Sequence, residues 1–507
     1  MFDFKKLVSS MVHRTEATSK TVQTATQLVK ELPANEYAGA LVEIVKSIIK
    51  INSDTKIPLK ERLTTLLYID ERTHSIHHSL SEGFIIGTPS IKSYLPSILA
   101  YLKEFSTAYM MCLRLYHSAP VPSLLEDIRL ANARGLNHQM HLILWKSLNY
   151  LKSEGTLWQH GYKLYQYAEE MGYERFNMRL YDTSTRDTSC EQILLRGAML
   201  RLAQTENLSP QEIVAVERLV FSLADSLRLE KHSNPTMDEP VYALNLEVLD
   251  PPQPLRRGMV GKSFRYWSAM PVVNQLADIM LDMDKGLPPV LLDTRMKLNQ
   301  HQWNELCLKL AARWSRDGGL SLRKSERQHH SAEVSVDVGF DRCAFLVKVQ
   351  YVSSTETEQE EWRIYDVSTT GLGLSYFGKK TEMLALKRIL LVRQPNGTLK
   401  VGVIRRIVSE KSGVSRIGVE QLGHSPIGVS LINPNQPDTD PVNGLYVTQP
   451  NSSSGKRWFL IPKKMASIGQ ELVFTVQGLS YRIRLKGPQQ MFDDCVHSDF
   501  DTLGRVE

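Results

Sequence analysis

Cysteine is scarce in this chain and never clustered. The five cysteines, Cys112, Cys190, Cys307, Cys343 and Cys495, are odd in number and far apart, with no Cys-x-x-Cys pair. That excludes a zinc ribbon and a dithiol redox motif. A disulfide framework would use more cysteines in an even number, so a cytoplasmic location is expected. Long apolar runs are missing too. Residues 38–51 are the strongest near the start, and Glu43, Lys46 and Lys50 interrupt them. No segment reaches about 18 uninterrupted apolar residues, so no membrane span is expected. Residues 1–14 hold no apolar h-region and no small-residue cleavage site, and no secretory signal is expected there.

Neither sign of charge dominates. The 61 Lys+Arg against 55 Asp+Glu leave +6 over 507 residues, too little for a nucleic-acid coat, while a local basic site remains open. With 42% hydrophobic residues, 29 Gly and 23 Pro, the disordered, collagen-like and low-complexity classes are excluded. The length predicts about three domains, at about 100–200 residues each. No nucleophile elbow, paired catalytic carboxylates or metal set stands out, so neither an enzyme nor a cofactor is expected.

What is present first is helical periodicity. Ala38, Leu41, Val42, Val45, Ile48 and Ile49 recur at three- and four-residue intervals, as do Leu59, Leu63, Leu66 and Leu67. Residues 91–116 follow despite Pro96, then residues 142–151 and the aromatic-rich 158–167. Ser209-Pro210-Gln211-Glu212 reads as a capped helix start, followed by the stripe Ile213, Val216, Val220, Leu223 and Leu227. Residues 1–230 are therefore expected to form an all-α multi-helix domain. Residues 231–318 read as linker and connecting helices. They carry a Pro-rich stretch with one strand-like run at 241–248, then helices near 272–283 and 302–316 that stop at Asp317-Gly318-Gly319.

After Gly319 the period becomes two: Val334/Val336/Val338, Trp362/Ile364, Leu372/Leu374/Tyr376, Ile389/Leu391, Val401/Val403 and Ile417/Val419. Pro395-Asn396-Gly397 is a hairpin signal between two of these runs. Residues 319–430 are expected to form a small antiparallel β-barrel and residues 431–507 a small C-terminal β unit, which makes the whole an α+β multidomain chain.

The sharpest chemical signal opens the β region. Arg323-Lys324-Ser325-Glu326-Arg327 is an Arg-x-x-x-Arg pair, and Asp366-Val367-Ser368-Thr369-Thr370-Gly371 is an Asp-x-Ser-x-x-Gly run at the end of a strand. Two guanidinium forks suit phosphate oxygens, and their flat faces can stack on bases. Asp366 and Ser368, two apart on a strand, share one side. The carboxylate can accept from a guanine edge, the hydroxyl can accompany it, and Gly371 is expected to permit the tight turn.

These two motifs, in this order, resemble the PilZ family, small β-barrels that act as receptors for the bacterial second messenger cyclic di-GMP. The closing strands, Val401 to Arg406 and Arg416 to Glu420, are similar as well. The resemblance covers about residues 321–425 and implies a cyclic di-GMP effector in control of motility, surface polysaccharide or biofilm. By it, Arg323 and Arg327 grip phosphates and stack on guanine, Asp366 and Ser368 contact guanine, and Gly371 holds the turn. The helical part resembles no family by its residues, and an unknown protein partner is expected to meet it. From Arg327 to Asp366 is 39 positions, long for such a barrel. An insertion is expected at 339–361, either a short helix near 342–349 or a long hairpin, with the acidic loop 356–361.

Rival readings are an interaction scaffold whose barrel has lost its ligand, and an RNA-binding barrel, for which exposed aromatics are scarce beside Arg388, Arg393, Lys400, Arg405 and Arg406. Gly258-Met259-Val260-Gly261-Lys262-Ser263 is no P-loop, because the first glycine position holds Arg256. His74, His77 and His78, and likewise His138 and His141, read as solvated helix residues rather than metal ligands. His329 and His330 read as barrel-surface residues that flank the arginine pair.

Overall fold

A computed structural model describes residues 20–32, 37–86, 93–233, 239–287, 298–315, 328–350, 362–435, 440–450, 455–476, 478–487 and 489–506. The chain divides into two units. The first comprises residues 1–146, 153–203 and 210–319, and the second residues 147–152, 204–209 and 320–507. The α+β architecture is the one expected, helices first and an antiparallel barrel after them.

The first unit is built on α1 (Lys20–Glu31), α2 (Tyr37–Ser53), α3 (Leu59–Ile86), α4 (Leu95–Ser118), α5 (Leu125–Leu148), α6 (Gly155–Glu170), α7 (Cys190–Leu202) and α8 (Pro210–Leu223). Along α2 the buried stripe is Ala40, Leu41, Ile44, Ile48 and Ile51, while Val42 and Ile49 are exposed, so its apolar content is wider than the face it buries. Pro96 starts α4 rather than breaking it, since a proline in the first turn loses no helical hydrogen bond. Trp158, Tyr162 and Tyr165 of α6 are core. Capping boxes close the N-termini of α7, through Ser189 and Gln192, and of α10 (Gln300–Trp314), through Asn299 and Gln302.

The Pro-punctuated stretch is packed structure rather than a bare linker. β1 (Val241–Asn245), β2 (Gln253–Pro254) and β3 (Phe264–Ser268) form a three-stranded antiparallel sheet in the order β2-β1-β3. Tyr242, Ala243, Leu244 and Trp267 are buried in it. α9 (Met270–Asp284) follows and packs on α10. Gly258 and Gly261 both take positive φ in the turn between β2 and β3, where strands of the small antiparallel sheet are joined.

One buried network joins α3, α4 and α5. The Asp70 carboxylate accepts from Tyr109 Oη at 2.7 Å and pairs with His138 Nε2 at 3.0 Å, with Tyr181 Oη at 3.4 Å. Arg134 donates through Nε to Leu180 O at 2.7 Å and through Nη1 to Leu67 O at 3.1 Å, and it pairs with Glu71. Burial alone would raise the Asp70 pKa, yet the charge and hydrogen bond of His138, the Arg134 guanidinium and the Tyr109 hydroxyl hold it below the usual carboxylate value. His138 is therefore no solvated helix residue: it is 3% exposed, and its ring stacks on Phe105 at 5.0 Å. His74 stacks on Tyr181 at 4.1 Å and contacts Thr183 Oγ1 at 2.8 Å. The side chains of His77 and His78 lie outside the described residues. Among the described residues no cluster of three or more His, Cys, Asp or Glu could hold a metal, and no helix is long and apolar enough to cross a membrane.

The second unit contains β4 (Gln328–Val338), α11 (Phe340–Lys348), β5 (Trp362–Ser368), β6 (Gly371–Tyr376), β7 (Ile389–Arg393), β8 (Leu399–Ser409) and β9 (Ser415–Ile432). The sheet runs β9-β6-β5-β4-β7-β8, and β8 pairs back onto β9, so six antiparallel strands close a barrel. Its interior holds Trp362, Ile364, Leu372, Leu374, Tyr376, Leu390, Val392, Ile404, Ile407, Ile417 and Val419. The β7–β8 hairpin turns at Gly397, φ 80°, as Pro395-Asn396-Gly397 predicts. Of the two forms expected for the insertion, the helix is found: α11 packs Phe340, Cys343 and Ala344 on Ile389, Leu391, Val401 and Val403. β7 is thus buried on both faces, its even and odd residues serving different cores.

β9 is 18 residues long and does not stop at the barrel. Its second half pairs with β10 (Val442–Thr448) and β12 (Glu471–Val476). With β11 (Arg457–Pro462), β13 (Leu479–Leu485), β14 (Gln490–Met491), β15 (Cys495–Ser498) and β16 (Phe500–Val506) it builds a further core around Val429, Leu431, Phe459, Leu472, Phe474 and Ile483. All five cysteines are buried free thiols.

Candidate functional site

β5 does not run straight. In its ladder with β6, Ile364 faces Leu374 and Asp366 faces Gly373, which leaves Tyr365 unmatched and marks a bulge. Ile364 belongs to the barrel interior and Val367 packs against the same core, so the two residues between them, Tyr365 and Asp366, both lie on the outer side of the strand. There Tyr365 is half-buried and Asp366 is buried against Gly373. Further along, Ser368 faces Gly371. On β6 the interior takes Leu372, Leu374 and Tyr376, and Gly371, Gly373 and Ser375 are left for the outer face. Asp366 and Ser368 therefore lie on one face of the barrel, as their spacing predicts. The bulge that turns Asp366 there is not visible in the spacing.

The glycines shape this face. A Cβ at Gly373 would overlap Asp366 Oδ1 and lie 2.6 Å from Tyr365 Cζ, so both side chains rest on the bare glycine backbone. Gly371 serves differently from the expectation. Its φ is not positive, and no tight-turn geometry demands a glycine there. A Cβ at Gly371 would instead stand 2.7 Å from Val419 O on the neighbouring β9, and that close approach is what excludes a side chain. Ser368 Oγ donates to Gly371 O at 3.4 Å.

Across β6 the face continues onto β9, where Gly373 faces Gly418 and Ser375 faces Arg416. Arg416 Nη1 donates to Ser375 Oγ at 2.6 Å and Nε to Glu410 Oε1 at 3.3 Å, and its Cζ lies 4.8 Å from the Tyr365 ring centroid. Arg405 on β8 is held by Glu420 at 2.7 Å. The arrangement offers a carboxylate acceptor, a hydroxyl and guanidinium groups, with Asp366 and Tyr365 seated on Gly373 and Arg406 against Gly418.

Arg323 and Arg327 lie outside the described residues, as do Leu322 and the acidic loop 356–361. The described chain resumes at Gln328, which faces Val367, and exposed His329 faces Asp366. β4 thus begins one residue after Arg327, beside the two motif residues of β5. His330 is exposed as well.

A search of curated proteins finds no match. A family match does exist, and it falls on the helical part, which by its residues resembled nothing, rather than on the barrel whose motifs carried the resemblance. Residues 23–235 match the family described as the N-terminal domain of the cyclic-di-GMP receptor FimW.

Proposed function

We propose that this chain is a receptor for cyclic di-GMP and that the outer face of β5, β6 and β9 binds the ligand. The observation that carries the reading is the match of residues 23–235 to a domain of a cyclic-di-GMP receptor. The outer face supports it independently, because a carboxylate and a hydroxyl stand together over a glycine floor. Asp366 accepts hydrogen bonds from the N–H groups of a guanine edge, and Ser368 adds a hydroxyl contact. Arg323 and Arg327 bring two guanidinium forks to the phosphates, and their flat faces cover the bases. The resemblance of the two motifs to PilZ barrels assigns the same roles.

The ligand acts by recruiting the arginine-bearing segment to the barrel and so repositioning the helical module, which meets a protein partner. The free energy available is the difference in ligand affinity between the two arrangements. The outputs implied by the resemblance are motility, surface polysaccharide or biofilm control.

Calorimetry on the full chain tests the reading. The wild type is expected to bind cyclic di-GMP, and Arg327→Ala and Asp366→Ala are each expected to weaken binding at least about 30-fold, with the melting temperature retained. Removing one partner of a charged hydrogen-bonded pair has an effect of that order. No heat from the wild type would leave the barrel as an interaction scaffold. Full affinity in the Arg327 variant would remove that residue from the site.

A further inference from the structure

We infer that Tyr365 and Arg416 form a planar wall of the ligand face that stacks on a purine base, an inference that rests on the receptor reading above. Neither residue belongs to the two motifs. The bulge makes the difference: in a regular strand Tyr365 would alternate with Ile364 and Asp366, and only one of Tyr365 and Asp366 could face outward. With Ile364 and Val367 both held by the interior, the ring and the carboxylate lie on the same outer face, Tyr365 half-buried and Asp366 only 9% exposed. Gly373 lies under both, with its Cβ position 2.6 Å from Tyr365 Cζ.

Arg416 completes the wall from the adjoining strand. Its guanidinium lies 4.8 Å from the Tyr365 centroid, and Ser375 and Glu410 fix its orientation through Nη1 and Nε. The Arg416 side chain is still 41% exposed. A guanidinium set over an aromatic ring presents a surface to which the face of a base adheres, a contact beyond the charge attraction that a phosphate would also feel. The face would then read the ligand twice, Asp366 along the edge of guanine and the Tyr365–Arg416 pair across its plane.

The test is calorimetric titration of the full chain with cyclic di-GMP. Tyr365→Phe keeps the ring and is expected to bind as the wild type does. Tyr365→Ala is expected to lose about tenfold, the scale of one base–aromatic contact. Arg416→Lys keeps the charge without the plane and is expected to lose a similar factor, which supplies a reading should the alanine variant fail to fold. Combining Tyr365→Ala with Asp366→Asn separates stacking from mere support of the carboxylate. Losses that multiply are expected for stacking, and a double variant no weaker than Asp366→Asn alone would overturn the inference. Wild-type affinity in both Tyr365→Ala and Arg416→Lys would overturn it as well, while leaving the receptor reading intact. A wild type that binds nothing would overturn both.

Discussion

Replacing Asp70 with alanine is expected to destabilise the helical unit by about 3–5 kcal/mol, the usual cost of taking one partner from a buried charged set. The carboxylate is fully buried and is the common acceptor for Tyr109 and His138, with Arg134 Nη1 at 4.0 Å. Without it, a phenol, an imidazole and part of a guanidinium lose their partner where water cannot replace it. The same group sets an acid limit. Its folded pKa lies below the usual value, so its contribution is complete above the unfolded carboxylate pKa of about 3.9 and is lost as pH falls through the lower folded value. Urea titrations followed by helical circular dichroism should show the wild type weakening over that acidic window. The Asp70→Ala chain should be weaker at neutral pH and flatter with acid, and a neutral-pH loss under 1 kcal/mol would contradict the network's role.

The second large effect concerns two glycines that a sequence comparison would treat alike. Gly373→Ala puts a methyl group into Asp366 Oδ1 and Tyr365 Cζ. Both are ends of side chains, which can swing aside, so the barrel should fold with a loss of about 1–3 kcal/mol while ligand affinity falls at least tenfold. Gly371→Ala meets the Val419 carbonyl, a backbone atom of a paired strand that cannot move without opening the β6–β9 ladder. Its penalty should appear in stability first. Thermal melting and calorimetry on the two variants should therefore rank them in opposite orders, and equal effects on both measurements would refute the distinction.

Much of the fold follows from local pattern. The strands of the barrel announce themselves by alternation, Leu372/Leu374/Tyr376 most plainly, and the hairpin by Asn396-Gly397. Asp366 and Ser368 are findable because a two-residue spacing on a strand fixes a common side. Other features leave no local trace. Ile364-Tyr365-Asp366 reads as plain alternation, since a bulge is set by the partner strand's register and not by its own residues. Asp70 on α3 lies far in sequence from Arg134 and His138, which share α5, and each looks like an ordinary polar position until the helices are packed. The sheet β1–β3 hides among prolines, because Pro251, Pro252 and Pro254 signal interruption more strongly than one short strand signals order. The match of residues 23–235 to a family model spans the helical part broadly, and no short motif in that part stands in for it.

The reach of β9 determines how the molecule can be cut. A piece ending near residue 430 would include Ile389, Leu391, Val401 and Val403 but discard Leu445, Val447, Leu460, Phe492 and Cys495, which cover them. Such a piece would present that greasy seam to water and is expected to aggregate on expression, whereas one carried through to the C-terminus should stay dispersed in size-exclusion chromatography.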